Sequence, residues 1–370
     1  MLAAPRSGAD QAALDRAISV LAEHFADSGA TRLDLPHIYQ ADGLLDLYGE
    51  DLRARAFVYP DPDQGRELCL RPDFTVPVAL AHADQGWDQV ASYTYQGPVF
   101  RRQPPGLQRP VEYMQAGIER FGDTDRIAAE VGVFKSLYRG LSELDLDEPE
   151  VTIGDLSIPF AILNALDMPE HRRASLRRHF WRPNRFRDLL ERAQTPSKAR
   201  KVPGDELDQR VNEAGEIVGL RSITDVTKRL IRLAGARNDA PVRPEQAQLI
   251  DRVLQIRAPA RSALIELEKI SGTAGVDLSA IIETLAKRLE ALDVAGIGMD
   301  RVVFDASFGR NLEYYDGFVF ELRAPGDPHG HPPLAGGGRY DAMTTRLGSP
   351  APVPAVGGII RPEAVLEALA

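Results

Sequence analysis

The sequence has 370 residues but a single cysteine, Cys69, and no long apolar run. One thiol cannot form an intrachain disulfide or a cysteine-based zinc site, which fits a reducing compartment. No stretch approaches the ~20 apolar residues that a membrane-spanning helix needs. Residues 1–17 lack the apolar core and cleavage site of a signal peptide. We therefore expect a cytoplasmic protein with no membrane association.

Positive charge is also scarce, since 44 Lys and Arg residues face 54 Asp and Glu residues for a net charge of −10. This balance argues against a general affinity for nucleic acid. Residues 171–190 form an exception, because several arginines there alternate with Trp181 and Phe186, as in some RNA-binding segments. An amphipathic helix with solvated or paired arginines, or a protein–protein surface, is the alternative that the acidic total favours.

Motifs for covalent or metal chemistry are missing as well. No Gly-x-Ser-x-Gly elbow and no Cys–His pair is present, so acyl transfer has no obvious nucleophile. The glycine run at residues 336–338 is not followed by the Lys-Ser or Lys-Thr of a phosphate loop, and indicates a tight turn or a close approach of backbone to a ligand. His329 and His331 stand without cysteines or an acidic cluster, which favours an exposed loop over a metal site.

Apolar periodicity divides the chain into strand-rich ends and a helical middle. Helices are predicted over about residues 10–27, 75–83 and 123–144, and residues 92–103 and 111–122 alternate as an antiparallel strand pair. We predict a core of residues 1–160 and 296–370 with a mostly helical insertion at 161–295. The expected fold is α+β, a mostly antiparallel sheet with helices packed on it.

Four segments place polar side chains on otherwise apolar stretches. They are LRPDFT with Arg71, Asp73 and Thr75; GPVFRRQ with Arg101 and Arg102; MQAGIER with Gln115 and Glu119; and RNLEYYDG with Arg310, Glu313, Tyr314 and Tyr315. Gln115, Gly117 and Glu119 alternate, so they leave the same face of a strand, and the glycine leaves room above the sheet.

Such a set is suited to a small zwitterion. An arginine fork matches a carboxylate, and Asp73 and Thr75 offer acceptors for an ammonium group. An imidazole ring could donate to Glu119 and meet a tyrosine hydroxyl. The alternative is a structural network of buried ion pairs and tyrosine hydrogen bonds, which is the commoner explanation for any one of these segments alone.

Taken in order, these segments resemble the core of histidyl-tRNA synthetase, a class II aminoacyl-tRNA synthetase. LRPDFT resembles its LRPEGT-type segment, and YQGPVFRRQ with EYMQAGIE resembles motif 2. RNLEYYDGFVFEL is similar to the RGLDYYTGTVFE-type histidine signature, AGGGRYD to the glycine loop, and PAVGGIIRPEAV to motif 3. The resemblance covers most of the chain outside the insertion and implies a class II-like fold that dimerises through the segment around Pro36.

The resemblance implies a histidine-binding pocket. Asp73, Thr75 and Gln115 would face the amino group, although Asp73 is one methylene shorter than the family's glutamate. Arg101, together with Arg310, would hold the carboxylate. Glu119 and Tyr315 would bind the imidazole, with Tyr314 beside them.

Departures from the synthetase pattern affect the nucleotide site. Ala364 stands where synthetases have an ATP-binding arginine, Arg361 replaces a small glycine and could obstruct the site, and Gln103 replaces an acid. The sequence stops within a short helix of motif 3, where a synthetase would continue into an anticodon-binding domain.

This combination resembles the regulatory subunits of ATP phosphoribosyltransferase, synthetase-like proteins of histidine biosynthesis. The resemblance implies a non-catalytic subunit that has no cofactor and activates a short-form catalytic subunit in a hetero-octamer, with L-histidine as feedback effector. The alternatives are a truncated histidyl-tRNA synthetase, another synthetase-like enzyme that activates an amino acid, and a scaffold whose pocket is vestigial. Binding of ATP and of histidine distinguishes them.

Overall fold

The computed structural model describes residues 5–6, 8–104, 109–195, 241–274, 276–310, 313–326 and 332–370. The predicted loop with His329 and His331 lies outside these ranges. The described helices are α1 (Gly8–Ala26), α2 (Ala41–Leu47), α3 (Glu50–Arg55), α4 (Thr75–Ala83), α5 (Arg126–Ser142), α6 (Ser157–Ala165), α7 (Glu170–His179), α8 (Pro183–Gln194), α9 (Pro244–Leu254), α10 (Ala260–Ala274), α11 (Ser279–Val294), α12 (Asp341–Arg346) and α13 (Pro362–Leu369).

The strands form two sheets. They are β1 (Thr31–Arg32), β2 (Ile38–Gln40), β3 (Val58–Pro60), β4 (Glu67–Leu70), β5 (Ala91–Phe100), β6 (Glu112–Phe121), β7 (Glu150–Asp155), β8 (Arg257–Pro259), β9 (Val302–Asp305), β10 (Phe318–Arg323), β11 (Ala335–Arg339) and β12 (Ala355–Ile360). The larger sheet has the order β1-β5-β6-β12-β11-β10-β7-β9-β8, and the smaller has the order β2-β4-β3. In the larger sheet only β1–β5 and β7–β9 pair in parallel, so the predicted α+β fold with a mostly antiparallel sheet is confirmed.

Strands β5 and β6 are the predicted antiparallel pair, with Ala91 opposite Phe121 and Phe100 opposite Glu112. Their alternation is visible in the sequence because a strand that is buried mainly on one face repeats every two residues. Strand β12 pairs with the other side of β6, with Ile360 opposite Ala116. Segments far apart in the chain thus meet on the centre of one sheet.

The glycine run forms strand β11 instead of a tight turn. It lies between β10 and β12, and a Cβ built on Gly337 would lie 2.2 Å from the carbonyl oxygen of Gly357. A Cβ on Gly338 would lie 2.8 Å from the carbonyl oxygen of Phe318. Glycine is needed here because any side chain would meet neighbouring backbone, a kind of overpacking that typically costs about 1–3 kcal/mol.

Helix α5 packs its apolar face on the larger sheet and makes its most extensive contact with β12. Phe134, Leu137 and Leu141 on this face are completely buried. The helix starts three residues later than the predicted residue 123, because Asp125 is its N-cap and accepts a hydrogen bond from the N–H of Ala128 at 3.0 Å.

The chain divides into two compact units, Met1–Pro159 with Val253–Ala370, and Phe160–Arg252. The predicted insertion, 161–295, extends further than the second unit. Residues 253–295 belong to the first unit, where β8 pairs with β9 and places Arg257 opposite Asp305. Helical periodicity could not indicate this, since the pairing joins residues about fifty positions apart in the chain.

The arginine-rich stretch forms helices α7 and α8 of the second unit. Phe186 is buried, and Phe180 packs on Phe160 with ring centroids 4.9 Å apart. Arg173 donates to the carbonyl oxygens of Leu163 and Leu166, each at 3.0 Å. These contacts favour the amphipathic-helix interpretation over base stacking. None of the described helices combines the length and apolarity that crossing a membrane requires.

Candidate functional site

A cavity of about 610 Å³ lies within the first unit, over the face formed by β6, β12, β11 and β10. It gathers side chains from the β4–α4 connection, the ends of β5 and β12, and the turn before β10. Of the eight predicted histidine-binding residues, six line it: Asp73, Thr75, Arg101, Gln115, Tyr314 and Tyr315. The strand order brings them together, since β6 and β10 are separated in the sheet only by β12 and β11.

Asp73 and Arg101 form an ion pair at the cavity wall. Asp73 Oδ2 lies 3.6 Å from an Arg101 guanidinium nitrogen, and Oδ1 accepts a hydrogen bond from Tyr48 at 2.7 Å. Arg101 Nε donates to the carbonyl oxygen of Pro72 at 2.5 Å. Burial raises the pKa of Asp73, and the positive charge of Arg101 opposes that rise. Oδ2 has no hydrogen-bond partner among the described residues, so it is an acceptor available to a ligand ammonium group.

Gln115 places a second unsatisfied acceptor at the cavity. Its side chain is buried on β6, and its Oε1 atom has no hydrogen-bond partner in the part of the chain that the structure describes. Buried polar atoms are nearly always bonded in native proteins. An unpaired amide oxygen in the wall of a cavity is therefore suited to contact a polar ligand.

Glu119 lies beside the cavity instead of lining it. Its Oε1 atom accepts hydrogen bonds from Thr75 and Tyr95, each at 3.0 Å, and Tyr340 donates to Oε2. A Cβ on Gly357 would lie 1.5 Å from Oε2, so a glycine on the neighbouring strand makes room for the carboxylate. Glu119 reaches the cavity through Thr75, and the direct imidazole contact remains a prediction.

We expect Glu119 to make stability depend on pH. Burial raises its pKa from 4.5 to about 7, and the hydrogen bonds from Tyr340, Thr75 and Tyr95 oppose the rise. The folded state holds the proton more tightly, so this contribution to stability is complete below pH 4.5 and is lost as the pH rises through about 7.

The variant Glu119→Gln cannot ionise at this position, so it should not lose stability as the pH rises through about 7. Its free energy of unfolding relative to the unchanged protein should therefore increase between about pH 5 and about pH 8. Urea denaturation at both pH values measures this. A difference that stays constant would show that Glu119 keeps an ordinary pKa.

Tyr314 and Tyr315 are adjacent at the cavity wall, with ring centroids 4.6 Å apart. Tyr314 also packs edge-on against Tyr48 and Tyr340, at 6.4 and 6.1 Å. Burial raises the pKa of both phenols, so they remain protonated hydrogen-bond donors at neutral pH. Arg310 follows Phe308 and Gly309, which line the cavity, but Arg310 itself is not one of the lining residues.

Sequence reasoning missed the tyrosines that support this site. Tyr48 bonds to Asp73, and Tyr95 and Tyr340 bond to Glu119. Tyr340 is part of the AGGGRYD motif, and Tyr95 lies opposite Gly117 in the β5–β6 pair, where a glycine makes space for a large neighbour. Tyr48 follows a short irregular helix, and nothing in its local pattern points to a buried carboxylate.

The residues that depart from the synthetase pattern line the same cavity. Gln103 is held by the carbonyl oxygen of Pro110, to which its Nε2 donates at 2.9 Å. Glu363, the glutamate that the motif 3 pattern keeps, also lines the cavity; it accepts the N–H of Met114 at 2.9 Å and pairs with Arg6 at 3.1 Å. Ala364 offers no charge at all. Among the described residues no group of three or more His, Cys, Asp or Glu side chains could hold a metal ion.

Comparison with known proteins gives consistent results. A family model for histidyl-tRNA synthetase matches residues 6–365. An ATP phosphoribosyltransferase regulatory subunit from Mesorhizobium japonicum is 35% identical over 93% of this chain and 95% of its own length. The protein of the same name from Brucella anthropi is 35% identical over 89% of this chain and 90% of its own.

Solved structures share the fold. A Bacillus halodurans C protein, described as an ATP phosphoribosyltransferase regulatory subunit/histidyl-tRNA synthetase, has a TM-score of 0.71 at 21% identity, covering 100% of this chain and 82% of that one. A histidine–tRNA ligase subunit from Alicyclobacillus acidocaldarius has a TM-score of 0.62 at 22% identity, covering 99% and 95%. The chain therefore belongs to the histidyl-tRNA synthetase family and, within it, to the ATP phosphoribosyltransferase regulatory subunits.

Proposed function

We propose that this protein is a non-catalytic regulatory subunit that binds a short-form ATP phosphoribosyltransferase catalytic subunit and activates it for the first step of L-histidine biosynthesis. The observation that carries this is the 35% identity, over 93% of the chain, to a curated protein of that name. The replacement of charged nucleotide-binding positions by Ala364 and Gln103 supports a protein without chemistry of its own. A cytoplasmic location and a hetero-octamer built on homodimers belong to the same proposal.

The cavity is the proposed sensor for L-histidine. Asp73 and Arg101 lie side by side there and can meet the ammonium and carboxylate of an amino acid. Gln115 supplies an amide oxygen that has no hydrogen-bond partner among the described residues. The phenols of Tyr314 and Tyr315, also in the cavity wall, can donate hydrogen bonds to the imidazole ring of the ligand. This arrangement fits a zwitterion with a polar side chain better than it fits a purely structural ion pair.

Feedback requires that histidine bind two arrangements of the complex with different affinity. A ligand shifts an equilibrium only by its differential affinity, and typical couplings are about 1–3 kcal/mol, or 5- to 150-fold. Histidine bound in the cavity would thus favour a less active arrangement of the catalytic subunits. It would not need to contact their active sites.

The first experiment is to purify the tagged protein from its source cell and identify what co-elutes by mass spectrometry. We expect a short ATP phosphoribosyltransferase in near-equal amount, whose activity depends on this subunit and falls as L-histidine is titrated. Co-elution of tRNA without any transferase would contradict the proposal. Histidine-dependent exchange between ATP and pyrophosphate by the purified chain would indicate an amino-acid-activating enzyme instead.

A further inference from the structure

Arg361 is a cation of the cavity that forms no ion pair with any described residue. It lines the cavity immediately after β12, and its Nη1 atom donates to the carbonyl oxygen of Pro333 at 2.7 Å. Its backbone N–H donates to the carbonyl oxygen of Leu334 at 2.8 Å. These contacts hold the base and one edge of the guanidinium group. They provide no negative charge to balance it.

Arg361 and Arg101 converge on the same part of the sheet. Arg101 follows β5 and Arg361 follows β12, and these two strands flank β6. Phe100 pairs with Glu112 and Ile360 with Ala116, so both arginines leave their strands near residues 112–116 of β6. Adjacent strands lie about 4.8 Å apart, so β5 and β12 are roughly 10 Å apart across β6. The two arginines are also offset by about four residues along β6, and their long side chains reach the same cavity.

Tyr113 and Gln115 lie between the two arginines on β6, and all four residues line the cavity. The arginines are close enough to repel one another. Burial lowers the pKa of Arg361 and the charge of Arg101 lowers it further, while Tyr113 and the carboxylate of Glu321 oppose these effects. Two positive charges at one poorly hydrated cavity repel each other, and a bound anion would relieve that repulsion.

Asp73 does not fill this role. It lies beside Arg101, where Tyr48 also bonds it, and it forms no ion pair with Arg361. Glu363 is already occupied by the N–H of Met114 and by Arg6. Glu321, also in the cavity wall, attracts Arg361 but pairs with Arg323 at 2.8 Å, and the fourth acid of the wall, Glu367, is exposed. None of these acids forms an ion pair with Arg361, so its guanidinium group can still accept a ligand anion.

We propose that Arg361 is a second carboxylate-binding residue, which together with Arg101 holds the α-carboxylate of the amino acid over Tyr113 and Gln115. This rests on the proposed histidine-binding function and deepens it. The ligand is then oriented with its ammonium group towards Asp73 and its carboxylate between the two arginines. A guanidinium fork at each side recognises both carboxylate oxygens, so Arg361 selects ligands that carry a free carboxylate.

The test compares L-histidine with L-histidinol, in which a hydroxymethyl group replaces the carboxylate. Calorimetric titration of the full chain gives both affinities for the unchanged protein and for Arg361→Gln, whose side chain stays polar but carries no charge. We expect Arg361→Gln to bind histidine about 10- to 30-fold more weakly, and histidinol within about 2-fold of the unchanged protein.

Two further variants keep the test decisive. Arg361→Lys keeps the charge but loses the fork, so it should recover part of the histidine affinity. Arg102→Gln removes an exposed arginine that does not line the cavity, and it should bind both ligands normally. Thermal melting first establishes that each variant is folded. If Arg361→Gln does not fold, Arg361→Lys carries the comparison, with a smaller loss confined to histidine.

The outcomes separate this inference from the function on which it rests. Equal losses for histidine and histidinol, or unchanged histidine binding by the folded variants, would overturn the role of Arg361 and leave histidine sensing intact. If the unchanged protein shows no saturable histidine binding, the proposed sensing function fails and this inference fails with it.

Discussion

Replacing Arg101 with alanine is expected to weaken L-histidine binding by about 100-fold or more and to abolish histidine feedback on the assembled transferase. The side chain reaches the cavity from the end of β5, next to Asp73. Truncating one partner of a desolvated charge pair with a ligand commonly costs about 2–5 kcal/mol, and each 1.4 kcal/mol is tenfold in affinity. Titration of the variant with histidine, alone and in the complex, measures both effects.

Two companion variants make this result interpretable. Arg102→Ala changes the adjacent, exposed arginine and should bind histidine normally. Arg101→Lys keeps a positive charge beside Asp73 and so protects folding, but it cannot present a guanidinium fork to a carboxylate. We expect it to assemble normally and to respond weakly to histidine. Full feedback in a folded Arg101→Ala complex would show that the effector binds elsewhere.

The largest stability effect is expected from Arg288→Ala. Arg288 is buried on α11, and it donates to Glu130 at 2.6 Å and to Asp155 at 2.8 Å. Arg339 on β11 donates to the other oxygen of Glu130 at 2.5 Å. Removing one partner of a buried ion pair leaves an uncompensated charge, which costs about 3–5 kcal/mol. The free energy of unfolding in urea should fall by that amount.

A matched control lies at an exposed position. Arg261 pairs with Asp293 at 2.7 Å, and both side chains are largely exposed. Such a pair is worth about 0–1 kcal/mol, so Arg261→Ala should leave the unfolding curve almost unchanged. Similar losses in the two variants would show that burial does not decide the strength of these ion pairs. A loss below about 1 kcal/mol for Arg288→Ala would show that the network relaxes around the gap.

The predicted site residues do not all reach the cavity, for a physical reason. Thr75 begins helix α4 and Gln115 lies on strand β6, two elements that the apolar periodicity predicts, and Asp73 lies in the connection just before α4; all three line the cavity. Glu119 has the same parity as Gln115 on β6, yet Thr75, Tyr95 and Tyr340 enclose its carboxylate beside the cavity. Strand alternation predicts on which face of the sheet a side chain lies, but it does not predict which side chains from other segments pack over it.

Arg361 is the opposite case, a cavity residue that the sequence pattern did not predict to bind the ligand. In the sequence it is an arginine at a position where the synthetase pattern has a small glycine, next to a short helix. In the structure it follows β12, across β6 from Arg101, and lines the cavity that holds Asp73. That neighbourhood depends on the register of three strands, of which β12 follows β5 and β6 by well over 200 positions in the chain, and no local pattern contains it.

The sequence by itself determined the class of fold, the β5–β6 pair, helix α4 and the family, because periodicity and ordered motifs are properties of short segments. The tertiary structure alone decided four things. It placed β8 at the edge of the larger sheet and made the glycine run a central strand. It also set Glu119 behind Thr75 and brought Arg361 to the cavity. Each of these follows from contacts between distant segments, whose geometry exists only once the sheet has formed.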